Sequence, residues 1–229
     1  MSARSPATRL LRHAWILALP LLAGASPASP ASSAKTIHLF NGKDLTGWTW
    51  HSATTTSKIS DVWTIKDGAL HSAAAPTGFI STSEAYKSFT LAVQYRHLSK
   101  ANGGLFVCIA DGPAGEKVWP NAIQVQAKWA NVGDLINQNK GMVAMKPDAA
   151  RTTDTGKDLI TKKLADNIEK PLGEWNDLLI TMKDGTLTVT LNGTLQNTAT
   201  GITPDHGRIG IQAEGAVMEF KKVDLTPIE

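Results

Sequence analysis

The 229-residue chain has one cysteine, two tyrosines and five phenylalanines. Its lone thiol, Cys108, has no partner for an intramolecular disulfide, which excludes a cross-linked secreted scaffold. Cys108 falls in Leu105-Phe106-Val107-Cys108-Ile109, an apolar strand, and reads as a packed thiol rather than a nucleophile. No apolar run reaches the roughly 20 residues that a bilayer-spanning helix needs. The longest, Ala14 to Ala25, follows Arg4, Arg9 and Arg12 and is followed by small residues, the pattern of a secretory signal peptide. Cleavage after Ala25 and cleavage after Ala34 both fit the small-residue rule, and the Ser/Pro/Ala stretch between them reads as a spacer. Residues 1–34 are thus expected to be leader and spacer. Residues 35–229 form the exported domain, periplasmic or extracellular, with no membrane segment once the leader is gone.

An excess of charge of one sign is also missing. Removing residues 1–34 takes three of the 23 basic residues and none of the 20 acidic ones, leaving 20 of each. Nucleic-acid binding therefore has no electrostatic support. The exported segment's five histidines, His38, His51, His71, His97 and His206, show no paired spacing of the metal-site kind. No catalytic metal and no cofactor are expected, and the sequence leaves open a structural calcium held by loop carbonyls and carboxylates. There is no internal repeat, heptad or Gly-rich phosphate loop, and nothing indicates an oligomeric state.

What the chain does have is short alternating runs punctuated by glycine turns. The clearest is the hairpin around Asp184-Gly185, a two-residue loop of the type I′ kind. It pairs Met182 with Leu187, Ile180 with Val189 and Leu178 with Leu191 on one face, with Thr181, Thr188, Thr190 and Asn192 on the other. A one-residue slip would set each apolar side chain against a polar one, so the register is well specified. The polar face of this sheet is where a function is expected.

At the next turn, Asn192-Gly193, a two-residue loop puts Leu195 opposite Thr190 on that polar face, which predicts a bulge or a longer connection. Val62 to Ile65 and Ala69 to His71 form a second hairpin around Lys66-Asp67-Gly68. Phe89, Leu91, Val93 and Tyr95 alternate with Thr90, Ala92, Gln94 and Arg96. Ile123, Val125 and Ala127 alternate with Gln124, Gln126 and Lys128, and Arg208 to Glu214 alternates again. The last strand changes phase across Lys221-Lys222, the mark of a β-bulge. Gly133–Gln138 and Gly141–Lys146 read as a further pair of strands, and Leu159–Ile168 as a short helix. The whole is an all-β sandwich.

Several stretches resemble the 3-keto-disaccharide hydrolase-like domain family, whose fold is similar to the concanavalin A-like jelly roll of two antiparallel sheets. They are Leu39-Phe40-Asn41-Gly42-Lys43-Asp44-Leu45-Thr46-Gly47-Trp48 and Trp63-Thr64-Ile65-Lys66-Asp67-Gly68-Ala69-Leu70. Val118-Trp119-Pro120 before Ile123-Gln124-Val125-Gln126, and Glu169-Lys170-Pro171-Leu172-Gly173-Glu174-Trp175-Asn176, follow. Gly210-Ile211-Gln212-Ala213-Glu214-Gly215 before Glu219-Phe220-Lys221 comes last. The resemblance spans residues 37–228 and implies an exported hydrolase that cleaves the glycosidic bond of 3-keto-glycosides. The family usually carries a carboxylate where this chain has Gln124, often one at Gln94, and commonly an Arg at Cys108.

Glutamine binds sugar hydroxyls but cannot move a proton, and the strand Gln124-Val125-Gln126 lacks the carboxylate pair of a jelly-roll glucanase. A 3-keto sugar asks for less, because its ketone acidifies the C2 proton and a single base can begin elimination of the C1 substituent. Glu214 is the expected base, since it shares a strand face with Gln212 and Arg208; Asp134 is the expected second proton carrier. Gln94, Arg96, Gln124, Gln126 and Gln212 are expected to contact the sugar, and Trp119 and Trp129 to stack on it. Trp175 is expected to be structural. All these strand faces must then converge on one hollow that takes a small carbohydrate. The rival readings are a non-catalytic, lectin-like domain and a cell-envelope interaction domain without a sugar site.

Overall fold

The computed structural model describes Met1 and residues 34–100, 102–111, 118–140, 142–166, 168–215 and 217–229. The expected leader falls on residues 1–34 and so lies almost wholly outside the described residues. Ala34–Glu229 forms one compact unit. Alternating apolar residues produce strands, and the strands assemble into two antiparallel sheets.

In the nine-stranded sheet the order is β10 (Ala144–Lys146), β15 (Thr194–Thr203), β14 (Thr186–Leu191), β13 (Asn176–Lys183), β6 (Phe89–His97), β17 (Met218–Pro227), β4 (Ala69–Ser72) and β3 (Trp63–Lys66). The short β1 (Ile37–His38) also pairs with β17. In the eight-stranded sheet the order is β11 (Thr152–Asp154), β12 (Leu159–Thr161), β9 (Leu135–Asn137), β8 (Ile123–Gln126), β7 (Asn102–Ile109), β16 (Gly207–Glu214), β5 (Gly78–Tyr86) and β2 (Trp48–Ser52). This is the jelly-roll sandwich that the sequence pattern and the resemblance imply.

The core fills the space between the sheets. Leu91, Val93 and Tyr95 of β6 and Leu178, Ile180 and Met182 of β13 meet Leu105 and Val107 of β7, Ile123 and Val125 of β8, and Ile209 and Ile211 of β16. Burying a Val, Leu or Ile side chain of this kind contributes roughly 1.5–3 kcal/mol. Every second residue on these strands must therefore face outward, and each sheet presents its polar set on its own outer surface.

The hairpin pairs Leu178 with Leu191, Ile180 with Val189 and Met182 with Leu187. Asp184 and Gly185 have φ of 48° and 69°, as a type I′ turn requires. At Asn192-Gly193 the loop is also two residues long, and Leu195 does sit opposite Thr190, 43 % exposed. A bulge between Val189 and Thr190 then restores the phase. The register of β17 shifts between Phe220 and Lys222.

Two expectations fail. None of the described residues of Leu159–Ile168 is helical: Leu159–Thr161 forms β12, which pairs β9 on one side and β11 on the other. The open edge of β9 needs backbone partners, and that demand overrides weak local helical patterning. Nor do Gly133–Gln138 and Gly141–Lys146 pair with each other. The first supplies β9 of one sheet and the second β10 of the other, because Val143 and Met145 are buried in the core between them. Among the described residues, helix is limited to α1 (Ile59–Val62) and one 3₁₀ turn, and no helix is long and apolar enough to cross a membrane.

Candidate functional site

Strand register places the outer-face residues of the eight-stranded sheet in rows. One row runs Gln126, Gly104, Gln212, Phe79 and His51 across β8, β7, β16, β5 and β2. The next runs Gln124, Phe106, Gly210 and Ser81, and Glu214 lies opposite Asn102. Phe79, Phe106, Ile109 and Ala122 form a small apolar cluster on this face, with Val118 and Trp119 packed against it. A cleft of about 220 Å³ opens on the polar side of that cluster, lined by Gln124, Gln126, Gln138, Gln212, Glu214 and Asn102, with Trp119 and Asp158 on its walls.

The floor of the cleft is a chain of side-chain amides. Gln138 Nε2 donates to Gln124 Oε1 at 2.5 Å, and Gln124 Nε2 donates to Gln212 Oε1 at 2.8 Å and to Gln126 Oε1 at 3.1 Å. Gln212 Nε2 donates to Glu214 Oε2 at 2.9 Å, and Asn102 Nδ2 reaches the same oxygen at 2.5 Å. Apart from the branch from Gln124 to Gln126, the donors run toward Glu214, as expected when the terminal group is an acceptor-only carboxylate. Glycine at 104 is what lets the chain close: a Cβ there would lie 2.3 Å from Gln124 Nε2 and 2.8 Å from Gln212 Oε1. Glu214 Oε1 has no partner among the described residues and is available to a ligand.

Gln124, Gln126, Gln212, Glu214 and Trp119 are thus brought together, the glutamines more deeply than a solvent-facing strand suggests: Gln124 is 1 % exposed. Gln94 and Arg96 are not among them. Their strand, β6, belongs to the nine-stranded sheet, so both lie on the opposite outer surface of the sandwich. Gln94 Nε2 donates to Asp177 Oδ1 at 3.0 Å. Arg96 donates to Glu219 Oε2 through Nε at 2.7 Å, and its guanidinium lies 4.5 Å from the centre of the Trp175 ring. Trp175 is therefore a packing platform, and the polar face of the 176–191 hairpin is not the one that carries the cleft.

Asp134 does not line the cleft either. It is 3 % exposed, its Oδ1 accepts the Lys163 backbone N–H at 2.8 Å, and its Oδ2 pairs with Lys162 Nζ at 3.0 Å. These bonds tie the segment after β12 to the β8–β9 turn. Trp129 stands edge-on to His97, ring centroids 5.5 Å apart, and walls a separate pocket of about 320 Å³ beside Glu169 and Gln196. Asn102, Gln138, Lys157 and Asp158 are the polar cleft residues that sequence reading missed. Asp158 Oδ1 accepts the Asn139 N–H at 2.8 Å, and its other oxygen has no partner among the described residues. It follows the 3₁₀ turn in a segment with no readable period, where only its carboxylate could have drawn attention.

Burial pushes the Cys108 thiol up to about 12, with the charge of Asp205 adding to it, so the thiol is inert. No group of three or more His, Cys, Asp or Glu side chains positioned to hold a metal occurs among the described residues.

The family model of the 3-keto-alpha-glucoside-1,2-lyase-like domain matches residues 35–226. A candidate glycosyl hydrolase from Parabacteroides distasonis superposes with a TM-score of 0.60 at 17 % identity, covering 85 % of this chain and 94 % of that one. The Bacillus licheniformis β-glucanase gives 0.50 at 11 %, over 87 % of this chain and 100 % of that one. The carbohydrate-binding module CBM66 from Bacillus subtilis gives 0.50 at 13 %, over 78 % of this chain and 94 % of that one. At these identities the structural likenesses establish the jelly-roll fold alone, and it is the family match that supports a carbohydrate-active function. No curated protein sequence matches the chain significantly.

Proposed function

Because the chain belongs to the 3-keto-alpha-glucoside-1,2-lyase-like domain family, we propose that it cleaves the glycosidic bond of 3-keto-glycosides by elimination followed by hydration. The observation that carries this reading is the amide chain that ends on Glu214 and leaves one carboxylate oxygen open to the cleft. That oxygen takes the C2 proton of the bound sugar, which the adjacent ketone acidifies. The electron pair left on C2 is shared with the ketone as an enolate; as it collapses into a C1–C2 double bond, the C1–O bond breaks. Asp158, the other carboxyl group lining the cleft, takes over the role first expected of Asp134 and protonates the departing oxygen. Water then adds at C1, giving a proton back to Asp158, while Glu214 returns its proton to C2. Gln212 and Asn102 hold Glu214 in place throughout, and Trp119 offers a ring face to the sugar. Export through the leader sequence is part of this proposal, and N-terminal sequencing of the secreted form tests it.

The test is incubation of the protein with 3-keto-trehalose or a 3-keto-glucoside, following release of the second sugar or aglycone. Turnover is expected, with loss of most of it in Glu214→Gln; a fully active Glu214→Gln rules Glu214 out as the base. The second reading, a carbohydrate-binding domain without catalysis, is favoured by the glutamine at position 124 and by its complete engagement with neighbouring amides. Saturable binding of the 3-keto-glucoside without turnover selects it.

A further inference from the structure

The same sheet face carries a second pocket that the proposed reaction does not use. It encloses about 400 Å³ and is lined by His51, Phe79, Ser81, Ile109, Asn121 and Arg208, among others. The Phe79 side chain lies between the two pockets, since the row across the strands runs Gln212, Phe79, His51. Gln212 and His51 are therefore about 10 Å apart along the row, two strand spacings. The imidazole of His51 stacks on the Phe79 ring, with centroids 4.4 Å apart and planes 12° from parallel, and its Nε2 lies 2.9 Å from Ser81 Oγ.

A break in the sheet aims Arg208 at this pocket. Between Arg208 and Gly210 the register of β16 shifts against both neighbours, β5 and β7. The extra residue of β7 falls at this level, where Cys108 adopts a φ of 54°, a conformation that non-glycine residues seldom take. Bulges of this kind re-aim side chains and are common beside functional sites. Arg208 Nη2 pairs at 2.8 Å with Asp111, whose side chain is 90 % exposed; its other nitrogens have no partner among the described residues. An ion pair so open to water is weak and yields to a better-placed anion. Burial and the nearby guanidinium hold His51 below its ordinary value, so at neutral pH the imidazole is uncharged and Arg208 is the one charged group among the described residues that line the pocket.

No carboxylate lines this pocket among the described residues. A neutral sugar ring presents hydroxyl donors, for which the first cleft supplies Glu214 and Asp158. Here the dominant group is instead a planar guanidinium, whose fork matches an oxyanion. We propose that this pocket binds the oxyanion of an acidic sugar ring, a ring carboxylate or a sulfate ester, next to the ring held in the amide cleft. This rests on the carbohydrate reading above and narrows its substrate to glycosides with one acidic ring.

The full-length chain is titrated by calorimetry with methyl glucuronide, glucose 6-sulfate and methyl glucoside, with His51 followed by NMR. At least one acidic ring is expected to bind about tenfold or more tighter than methyl glucoside and to shift the His51 ring signals; which acid prevails identifies the oxyanion. Arg208→Gln should abolish the preference and leave methyl glucoside binding unchanged, and Arg208→Lys, charged but without the fork, should keep part of it. Equal binding of acidic and neutral rings, a preference that survives Arg208→Gln, or no binding of any of the three overturns the proposal. The two readings fail separately: 3-keto-glucoside turnover without a charge preference removes this inference alone, whereas a chain that neither binds nor cleaves the 3-keto-glucoside removes the function proposed above.

Discussion

Replacing Gln124 by glutamate keeps its shape and reverses the polarity of one atom, so it tests whether the amide chain is directional. Gln124 is 1 % exposed, and its Nε2 serves Gln212 Oε1 at 2.8 Å and Gln126 Oε1 at 3.1 Å. A carboxylate there turns both contacts into oxygen facing oxygen. Flipping the Gln126 amide, whose Nε2 has no partner among the described residues, repairs one of them, whereas flipping Gln212 only aims its Oε1 at Glu214 Oε2 and moves the conflict along the chain. A buried polar atom left unmatched costs about 1–3 kcal/mol, so Gln124→Glu, with one such mismatch remaining, should lose about 1–3 kcal/mol at pH 7. A protonated carboxyl restores one donor, which raises the introduced group's folded-state pKa above its unfolded value of about 4.3. The folded form then binds more protons than the unfolded form, and the loss must shrink as pH falls toward 4 and grow as it rises. Urea unfolding between pH 4 and pH 8 measures this, with Gln124→Met as the comparison whose deficit should not depend on pH. Wild-type stability of Gln124→Glu at pH 7, or a deficit that is the same at both ends of the range, refutes the directional chain.

Asp134→Asn should lower stability by about 1–3 kcal/mol, because a buried acceptor of a backbone N–H and an ion-pair partner is weakened, and sugar binding should not change; weaker binding at unchanged stability returns Asp134 to the site. The Cys108 thiol, pushed up to about 12, should resist thiol reagents at pH 8 until the protein unfolds, and rapid labelling of the native form contradicts its burial. Burial alone would raise the Glu219 carboxyl, yet hydrogen bonds from Arg96 and His71, with their charges, outweigh it and hold the group below the ordinary range. Its stabilising effect is thus present above the unfolded pKa of about 4.3 and is lost as pH falls through the folded value. Glu219→Gln should be less stable than wild type at pH 7, with the gap closing in acid; an equal gap at pH 3 and pH 7 argues against it.

Local chemistry made much of the fold legible. The Asp184-Gly185 turn and three apolar pairs specify one register, because any slip buries threonine, and the structure adopts that register. The phase change at Lys221-Lys222 marked a bulge for the same reason. Where the sequence was silent, the deciding contact was remote. Nothing local in Leu159–Thr161 indicates a strand; the need comes from the unpaired edge of β9, more than 20 residues earlier.

The site was half legible for a related reason. Alternation shows that Gln94 and Arg96 share one face of their strand and that Gln124 and Gln126 share one face of theirs, but it carries no information about which sheet each strand joins. The nine-stranded sheet takes β6 and the eight-stranded sheet takes β8, so two equally polar faces end on opposite surfaces of the sandwich. Once β8, β7 and β16 are adjacent, the rest follows from register. Gln124 and Gln126 come level with Phe106 and Gly104, Gln212 comes level with Gly104, and the missing side chain at Gly104 lets the amides meet above it. A side chain at that position would block the Gln124–Gln212 bond and detach the Gln212–Glu214 pair from the rest of the amide chain. The setting of the carboxylate proposed as the base thus involves a glycine on the strand between those of Gln124 and Gln212 and with no chemistry of its own, a relation that only the assembled sheet contains.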